Sequence, residues 1–334
     1  MGLGRRLYRG EIDVDFVGKQ KLWYSLSGLL IAFSLAGLIF SAINTGSPLN
    51  LGVEFRGGSV FSFKAETASI EQVRSTFLDE GTHQAIVQKA GDRWRVTTET
   101  LPEATVTKVQ NAIVQDFKVP VSQVDIQSIG ASWGGEVSNK AWLGLAVFMV
   151  AIILYLSMAF EPKMALAAIV ALVHDLVITA GIYAWSGFEV TPATLLGFLT
   201  ILGYSLYDAV VVFDMIKEVT AKLGTTSKKT YTQAANDALN HTLIRSLNTS
   251  LVAILPVAAI LFIGTTLLGA GTLKDLSLSL FVGMVVGTYS SLCVATPLLV
   301  TLKEREPKYQ AIARRLAATG GGGKGGKKTA VAGG

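Results

Sequence analysis

The sequence predicts a polytopic α-helical membrane protein, with six transmembrane helices and one extracytoplasmic α+β domain between helices 1 and 2. Half of the 334 residues are hydrophobic and only 16% are charged. The apolar residues form runs of about 20, the length that a helix rising about 1.5 Å per residue needs to cross about 30 Å of hydrocarbon. One connection between runs, 42–139, is far longer than the others. The predicted spans 1 to 6 are residues 22–41, 141–160, 164–185, 192–213, 248–268 and 277–301.

The first span follows a polar, basic segment, 1–21, and so has the flanks of a signal sequence. Its apolar run is too long for a typical signal-peptide core, and residues 41–47 after it contain no clear small-residue cleavage site. We therefore expect an uncleaved signal anchor.

Lysine and arginine residues are distributed unevenly between the two sides of the predicted membrane. They are frequent in segment 1–21, in the link 215–247 and in the Gly- and Lys-rich tail 302–334, whereas the connection between spans 3 and 4 has none. By the positive-inside rule, segment 1–21, the link and the tail are cytoplasmic. Because topology accounts for the basic residues, the net charge of +5 does not predict a nucleic-acid partner. For the tail we expect contact with anionic lipid or a ribosome.

The insertion 42–139 has the pattern of a small folded domain outside the cytoplasm. Val53–Lys64 alternates and predicts a strand, with a bend at Gly57-Gly58. Ser69 and Gln72 form a capping box, which predicts the start of a helix. The order β-α-β-β-α-β indicates a ferredoxin-like arrangement. The other predicted elements are a hairpin, 85–89 and 94–98, joined through 91–92, a helix at 106–117 and a strand at 121–128, followed by a glycine hinge at 133–135.

Span 3 contains His174 and Asp175 near its middle. A carboxylate at the centre of a membrane helix costs about 2.5–3.5 kcal/mol on insertion scales, so such a residue usually faces protein, water or a proton path rather than lipid. Two roles for Asp175 stay open: it holds a neighbouring helix, or it moves protons. For His174 we expect a packing role, and a proton-carrying role is the alternative.

Span 4 contains a second expensive acid, Asp208, well inside its end. Thr200, Tyr204 and Asp208 follow one another at intervals of four residues, which places them on one face of the helix. We expect this polar face to point into a helix bundle. Asp214 lies where the span meets water, close to Lys217, and there we expect a solvated acid.

Arg245 stands at the end of the cytoplasmic link, at the mouth of span 5. Ser246, Thr249 and Ser250 follow it at helical spacing and offer hydrogen-bonding groups on the same side. Two roles for Arg245 stay open from its position. It anchors the helix at the level of the lipid phosphates, or it is the cation that tunes Asp208.

The chain lacks the sequence signatures of an enzyme or a cofactor protein, so we expect no catalysis, no cofactor and no metal site. The run 321–328 comes close to a phosphate-binding loop, but Lys328 stands where serine or threonine is needed. Tyr207-Asp208 is similar to half of an intramembrane aspartyl protease site, but the second Gly-x-Gly-Asp element is missing. An acid within the membrane that exchanges protons with both sides, and a cation close to it, are instead the least that a protein needs to use the membrane potential. Moving one elementary charge through 100 mV releases about 2.3 kcal/mol.

Four motifs together resemble the SecF family, which belongs to the RND superfamily, and the resemblance covers about residues 15–305. Two small departures are Glu54-Phe-Arg56, where the family more often has Asp-Phe-Thr, and Tyr207-Asp-Ala209, where Asn-Asp-Thr is usual. Neither removes the acid of span 4, although Tyr207 would alter its hydration. The motifs are Leu51-Gly-Val-Glu-Phe-Arg-Gly-Gly58, Val173-His-Asp175, Gly203-Tyr-Ser-Leu-Tyr-Asp-Ala-Val-Val-Val-Phe-Asp214 and Arg245-Ser-Leu-Asn-Thr-Ser250.

The resemblance implies a proton-driven accessory subunit of protein export in the bacterial cytoplasmic membrane. Asp208 matches the family's proton-conducting aspartate, and Arg245 matches its functional arginine. The implied partners are SecD, which supplies six further spans, the SecYEG channel, often YajC, and the translocating preprotein, after SecA has begun the push from inside. Asp175, Thr200, Tyr204, Thr249 and Ser250 are the supporting polar residues that we expect within the membrane.

Two other functions remain as alternatives. An RND-type exporter of small molecules or lipids would need a substrate pocket in the outer domain and would work without SecYEG. A structural scaffold of the translocon would use Asp175 and Asp208 only as polar packing residues.

Overall fold

The computed structural model describes residues 14–65, 67–83, 85–90, 93–224, 227–264 and 271–321, and within these ranges six helices are long and apolar enough to cross a membrane. The predicted six-span architecture is therefore confirmed. The basic residues before position 14, the turn 91–92 and the tail beyond 321 lie outside the described residues. The membrane helices are α1 (Gln20–Thr45, span 1), α5 (Ala131–Ala159, span 2), α6 (Pro162–Ser186, span 3), α7 (Pro192–Ala221, span 4), α8 (Tyr231–Ala259, span 5) and α9 (Gly271–Ser290, span 6).

Two of the spans continue through π-helical turns. Span 5 continues from α8 into the π turn Ile260–Gly264. Span 6 passes from α9 through the π turn Ser291–Ala295 into α10, Thr296–Lys303. A last helix, α11, runs over Pro307–Gly321.

The helix ends follow local sequence signals. Spans 3 and 4 each begin with a proline at the first helical turn, where its missing N–H is not needed. Thr191 and Thr230 close capping boxes at the starts of spans 4 and 5. Spans 2 and 3 are separated by only two residues, which makes them antiparallel neighbours.

Span 5 extends well into the segment that we predicted to be the cytoplasmic link. The helix α8 begins at Tyr231 and is unbroken through Arg245 to Ala259, with Pro256 inside it. We predicted a helical piece, Tyr231–Leu243, within this link, and the structure joins that piece to span 5 without a break. It is a helix with one buried side, because Ala234, Ala235 and Ala238 pack into the main hydrophobic core.

Spans 3, 4 and 6 form the inner part of the bundle. About half of the residues in their most apolar stretches are buried, whereas spans 1, 2 and 5 are mostly exposed. The exposed apolar side chains of the outer helices suit contact with lipid or with a partner's helices. Among the described residues, most of the buried polar side chains of the membrane helices lie on spans 3, 4 and 6.

The outer domain is a four-stranded antiparallel sheet with two helices, and it lies between spans 1 and 2 as predicted. Across the sheet the strands follow the order 85–90, 93–98, 58–64 and 125–129, which is the order of a split βαβ fold. Phe61, Phe77 and Trp94 are fully buried in its core. The elements are β2 (Gly58–Lys64), α3 (Ile70–Asp79), β3 (Ala85–Ala90), β4 (Arg93–Thr98), α4 (Glu103–Phe117) and β5 (Asp125–Ile129).

Two sequence predictions about the base of this domain are wrong. Val53–Arg56 is a short helix, α2, and the strand starts only at Gly58, because Gly57 and Gly58 take positive φ angles of 78° and 139°. Gly134 lies inside α5 and is no hinge: a Cβ there would come within 2.6 Å of the Gly57 nitrogen. Gly134 therefore allows the close packing of α2 against span 2.

A short parallel ladder attaches the start of the outer domain to the bundle. Asn50–Leu51 (β1) pairs with Glu189–Val190 (β6), which lies in the connection between spans 3 and 4. Beside it, Arg95 of β4 binds Glu189, with 2.7 Å between Nη2 and Oε2. The sheet therefore contacts the bundle through an ion pair as well as through its covalent connections.

Candidate functional site

Asp208 lies inside the bundle with both carboxylate oxygens hydrogen-bonded. Its side chain belongs to span 4 and only 4% of the residue is exposed. Ser246 of span 5 donates its hydroxyl to Oδ1 at 2.5 Å, and Ser291 of span 6 donates to Oδ2. Within the described residues, no ion pair includes Asp208. Neutral hydroxyls from two other helices thus hold this acid.

Asp175 is the second buried acid and is fully shielded from solvent. Its Oδ2 accepts hydroxyl hydrogen bonds from Ser205 of span 4 at 2.6 Å and from Ser290 of span 6 at 2.8 Å. Its Oδ1 lies 3.1 Å from Nδ1 of His174. The acid therefore ties span 3 to both of the other inner helices.

The serines that hold the two acids come from a short section of each helix. Ser205 precedes Asp208 by three residues on span 4, so the two side chains share one side of the helix. Ser290 ends the α-helical part of span 6, and Ser291 begins its π turn. Such π turns inside helices are frequent at functional sites. Sequence reasoning quoted Ser246 and missed Ser205, Ser290 and Ser291.

A smaller polar cluster lies one turn from Asp208. The Tyr204 hydroxyl donates to Ser250 Oγ at 2.8 Å, and Thr288 of span 6 donates to the same oxygen at 2.9 Å. Ser250 is buried, whereas Tyr204 and Thr288 are half-buried. The structure thus brings Tyr204 and Ser250 of the expected polar residues together between spans 4, 5 and 6.

Thr200 and Thr249 lie apart from these contacts. Thr200 is exposed and donates to the Leu196 carbonyl oxygen of its own helix. Thr249 donates to the Arg245 carbonyl oxygen, also within its own helix. The inward face of span 4 includes Ser205 and Asp208 rather than Thr200, because the helix places only some of the four-residue series on the buried side.

Arg245 is not paired with Asp208 in this chain, although we expected a counter-charge. Its side chain is exposed, and among the described residues no ion pair includes it. The reason is helical geometry: successive residues lie about 100° apart, and Ser246 takes the inward position next to Asp208. Asp214 is exposed as well.

Spans 4 and 5 also expose large side chains that do not pack inside this chain. Tyr207 of span 4 and Leu251, Val252 and Leu255 of span 5 are all more than half exposed. We call these four residues the 4/5 surface. A charged arginine next to such a surface has no partner within the described part of this chain.

The described residues contain no group of three or more His, Cys, Asp or Glu that could hold a metal ion. A cavity of about 170 Å³ lies at the base of the outer domain, between the segment after span 1 and spans 2, 3 and 4. Its lining is apolar, with Leu51, Phe55, Trp142 and Phe198 among the residues. The cavity therefore adds no titratable group to the site around Asp208.

Two family descriptions match this chain. "Protein export membrane protein SecD/SecF, C-terminal" matches residues 109–305, and "SecD/SecF GG Motif" matches residues 45–69. The chain is 46% identical to "Protein translocase subunit SecF" of Streptomyces coelicolor, over 95% of this chain and 84% of that protein. It is 39% identical to the protein of the same name in Mycobacterium tuberculosis, over 93% of this chain and 72% of that one.

The fold is similar to that of longer, solved proteins. The crystal structure of SecDF, a translocon-associated membrane protein from Thermus thermophilus, superimposes with a TM-score of 0.78 at 29% identity, covering 91% of this chain. A structure of SecDF in a super-membrane-facing form gives 0.57 at 27% identity, covering 93%. The chain spans 42% and 40% of these two solved chains.

Proposed function

Because this chain belongs to the SecD/SecF family of protein-export membrane proteins, we propose that it is the SecF-type subunit that works with SecD and uses the proton motive force to promote preprotein translocation through SecYEG. The single observation that supports the proton-driven part is the setting of Asp208. It is a buried carboxylate on an inner membrane helix, and its contacts are neutral hydroxyls from two further helices.

This setting suits reversible proton binding. A buried carboxylate is costly in its charged form unless hydrogen bonds replace those it made to water. The hydroxyls of Ser246 and Ser291 donate to the charged form, and after rotation each can accept a hydrogen bond from the protonated form. Ser246 and Ser291 can therefore hydrogen-bond to Asp208 in both its charged and its protonated form, and neither form requires the helices to separate.

SecD is the partner that would complete the path. A relative named SecDF in Thermus thermophilus is a single chain, and this chain covers 40% of it at 31% identity. We assign the 4/5 surface to contact with SecD, because its side chains are exposed and mostly apolar and because Tyr207 directly precedes Asp208. Arg245 would then lie at the seam between the two halves, where a SecD carboxylate or water of the proton path can pair with it.

The other partners and the topology follow from the same proposal. The protein lies in the bacterial cytoplasmic membrane with both termini inside, in agreement with the basic residues of 1–21 and 215–247. The outer domain then faces the emerging preprotein, with SecYEG, and often YajC, beside the complex. SecA acts earlier, from the cytoplasmic side.

Export into inverted membrane vesicles that contain SecD and SecYEG tests this function. Asp208→Asn should abolish the proton-dependent stimulation of export, while SecD still co-purifies with the variant. Asp214→Asn is the matched control, since it removes an exposed acid from the same helix and should leave export unchanged. Normal export by Asp208→Asn would refute the proton role and favour a scaffold.

A further inference from the structure

His174 is a buried titratable side chain that the proposed function does not use. Only 4% of the residue is exposed, and its Nδ1 lies 3.1 Å from Oδ1 of Asp175. Its other ring nitrogen, Nε2, is buried and has no hydrogen-bond partner among the residues that the structure describes. A buried polar atom without a partner is rare in proteins, and here it belongs to a group that can bind a proton.

The contacts of Asp175 favour one tautomer of His174. An ionised carboxylate only accepts hydrogen bonds, and Asp175 accepts two hydroxyls at Oδ2. With Asp175 ionised, Nδ1 of His174 donates to Oδ1, and Nε2 holds the lone pair. A carboxylate that orients an imidazole in this way also stabilises the imidazolium ion that forms when the free nitrogen takes up a proton.

The pair is connected to Asp208 through shared helices. Ser290 donates to Asp175, and the next residue, Ser291, donates to Asp208. Ser205 donates to Asp175 from the helix that contains Asp208. A change of charge at Asp175 or at Asp208 thus acts on helices that also contribute hydroxyl groups to the other acid.

His174 also lies beside span 6. The ring centroid of Tyr289 lies 6.1 Å from that of His174, and the Tyr289 hydroxyl is 2.8 Å from Ser27 of span 1. Among the described contacts of His174, the titratable groups are Asp175 on its own helix and Tyr289 on span 6, and span 1 contributes a neutral hydroxyl to Tyr289.

We propose that His174 is a second proton-binding residue of the bundle, taking up its proton at Nε2 next to the negative charge of Asp175. A hydronium O–H bond breaks and an N–H bond forms at Nε2, and the imidazolium remains paired with Asp175. This inference rests on the proposed proton-driven function and adds a site to it. The bundle then has one proton-binding residue in span 3, His174, and one in span 4, Asp208.

Two substitutions separate proton binding from packing. His174→Asn keeps an amide N–H near the position of Nδ1, so it can still donate to Asp175, but it cannot bind a proton. The proton-dependent part of export should fall by about tenfold or more, the lower range of acid–base effects, while SecD co-purifies as before. His174→Gln places its amide N–H near the position of Nε2 rather than that of Nδ1, away from Asp175, so it should also disturb the assembly. Wild-type stimulation by His174→Asn would overturn the proposal.

A direct titration removes the dependence on export. The chain has three histidines, and the other two, His83 and His241, are exposed. In a His83→Gln, His241→Gln variant, ¹⁵N spectra of labelled His174 in bilayers should show Nδ1 protonated throughout and Nε2 gaining a proton as the pH falls. An Nε2 that carries hydrogen at every pH, with Nδ1 bare, would overturn the assignment.

The two proposals can fail separately. Full export by Asp208→Asn refutes the proton-driven function itself. Loss of export in Asp208→Asn, together with full export in His174→Asn and no titration at Nε2, refutes only the role of His174.

Discussion

Ser290 and Ser291 are neighbours in the chain, yet they donate to different buried carboxylates. The Ser290 hydroxyl lies 2.8 Å from Asp175 of span 3, and the Ser291 hydroxyl binds Asp208 of span 4. This happens where span 6 changes from α-helical to π-helical hydrogen bonding. A movement of span 6 would therefore change the surroundings of both acids together, which couples any change of charge to helix packing.

The first prediction concerns Ser291→Ala. This change removes one of the two hydroxyl donors of Asp208, and leaving a buried polar group short of a partner costs about 1–3 kcal/mol. The loss falls on the charged form, so the proton is released less readily and proton-dependent export should drop about tenfold. Ser157→Ala is the control, because Ser157 is exposed and donates to the Ile153 carbonyl of its own helix. Equal export by both variants would contradict the assigned role of Ser291.

The second prediction concerns the His174–Asp175 pair. The carboxylate of Asp175 contacts His174, Ser205 and Ser290. Asp175→Asn replaces one of its two acceptor oxygens with an N–H donor, so at least one contact is lost. We therefore expect the thermal stability of the purified complex to fall by about 1–3 kcal/mol and proton-dependent export to be lost. If the two residues act as a unit, the export defect of His174→Asn with Asp175→Asn should be no larger than that of Asp175→Asn alone. Defects that multiply would indicate two independent residues.

The third prediction concerns the contact of the outer domain with the bundle. Arg95→Glu places a second acid beside Glu189 and should weaken the attachment of the sheet, seen as faster hydrogen exchange in β1 and β6. The charge exchange Arg95→Glu with Glu189→Arg should restore slow exchange. Arg93→Glu is the control, since Arg93 binds Asp125 within the domain. Unchanged exchange in Arg95→Glu would show that the ion pair does not hold the junction.

The same junction has a predictable pH dependence. Burial raises the pKa of Glu189, the Arg95 charge opposes this, and Asp275 and Glu54 add to the rise. In Arg95→Gln the opposing charge is gone, so the ionised Glu189 is buried without a cation. The folded junction then binds a proton more tightly than the opened one, and its stability deficit should shrink as pH falls. Hydrogen exchange between pH 8 and pH 5 measures this, and a deficit that grows on acidification would contradict it.

The sequence allowed much of the architecture to be predicted, for simple reasons. The length of the apolar runs predicts six membrane helices, and spans 3 and 4 differ from the predicted ranges only by extensions at their ends. The capping box at Ser69 and the alternation after Gly58 predict elements of the outer domain. These signals are local, and each depends on the physical chemistry of a few neighbouring residues.

The parts that could not be predicted depend on contacts between distant residues. A single serine in an apolar helix has no periodic signature, so Ser205 and Ser290 became visible only when three helices were packed together. The two-residue ladder between Asn50 and Glu189 is too short to be read from composition. The position of Arg245 depends on the rotation of a helix, since one residue further on, Ser246, faces the acid.

The most direct test of the central claim is the proton flow that accompanies export. Inverted vesicles containing the complex and an internal pH-sensitive dye would be given a preprotein under an imposed proton gradient. We predict that proton movement linked to translocation is present in the wild type and in Asp214→Asn, and absent in Asp208→Asn. The same linked proton flow in Asp208→Asn as in the wild type would contradict the assignment of Asp208 as the proton-binding acid.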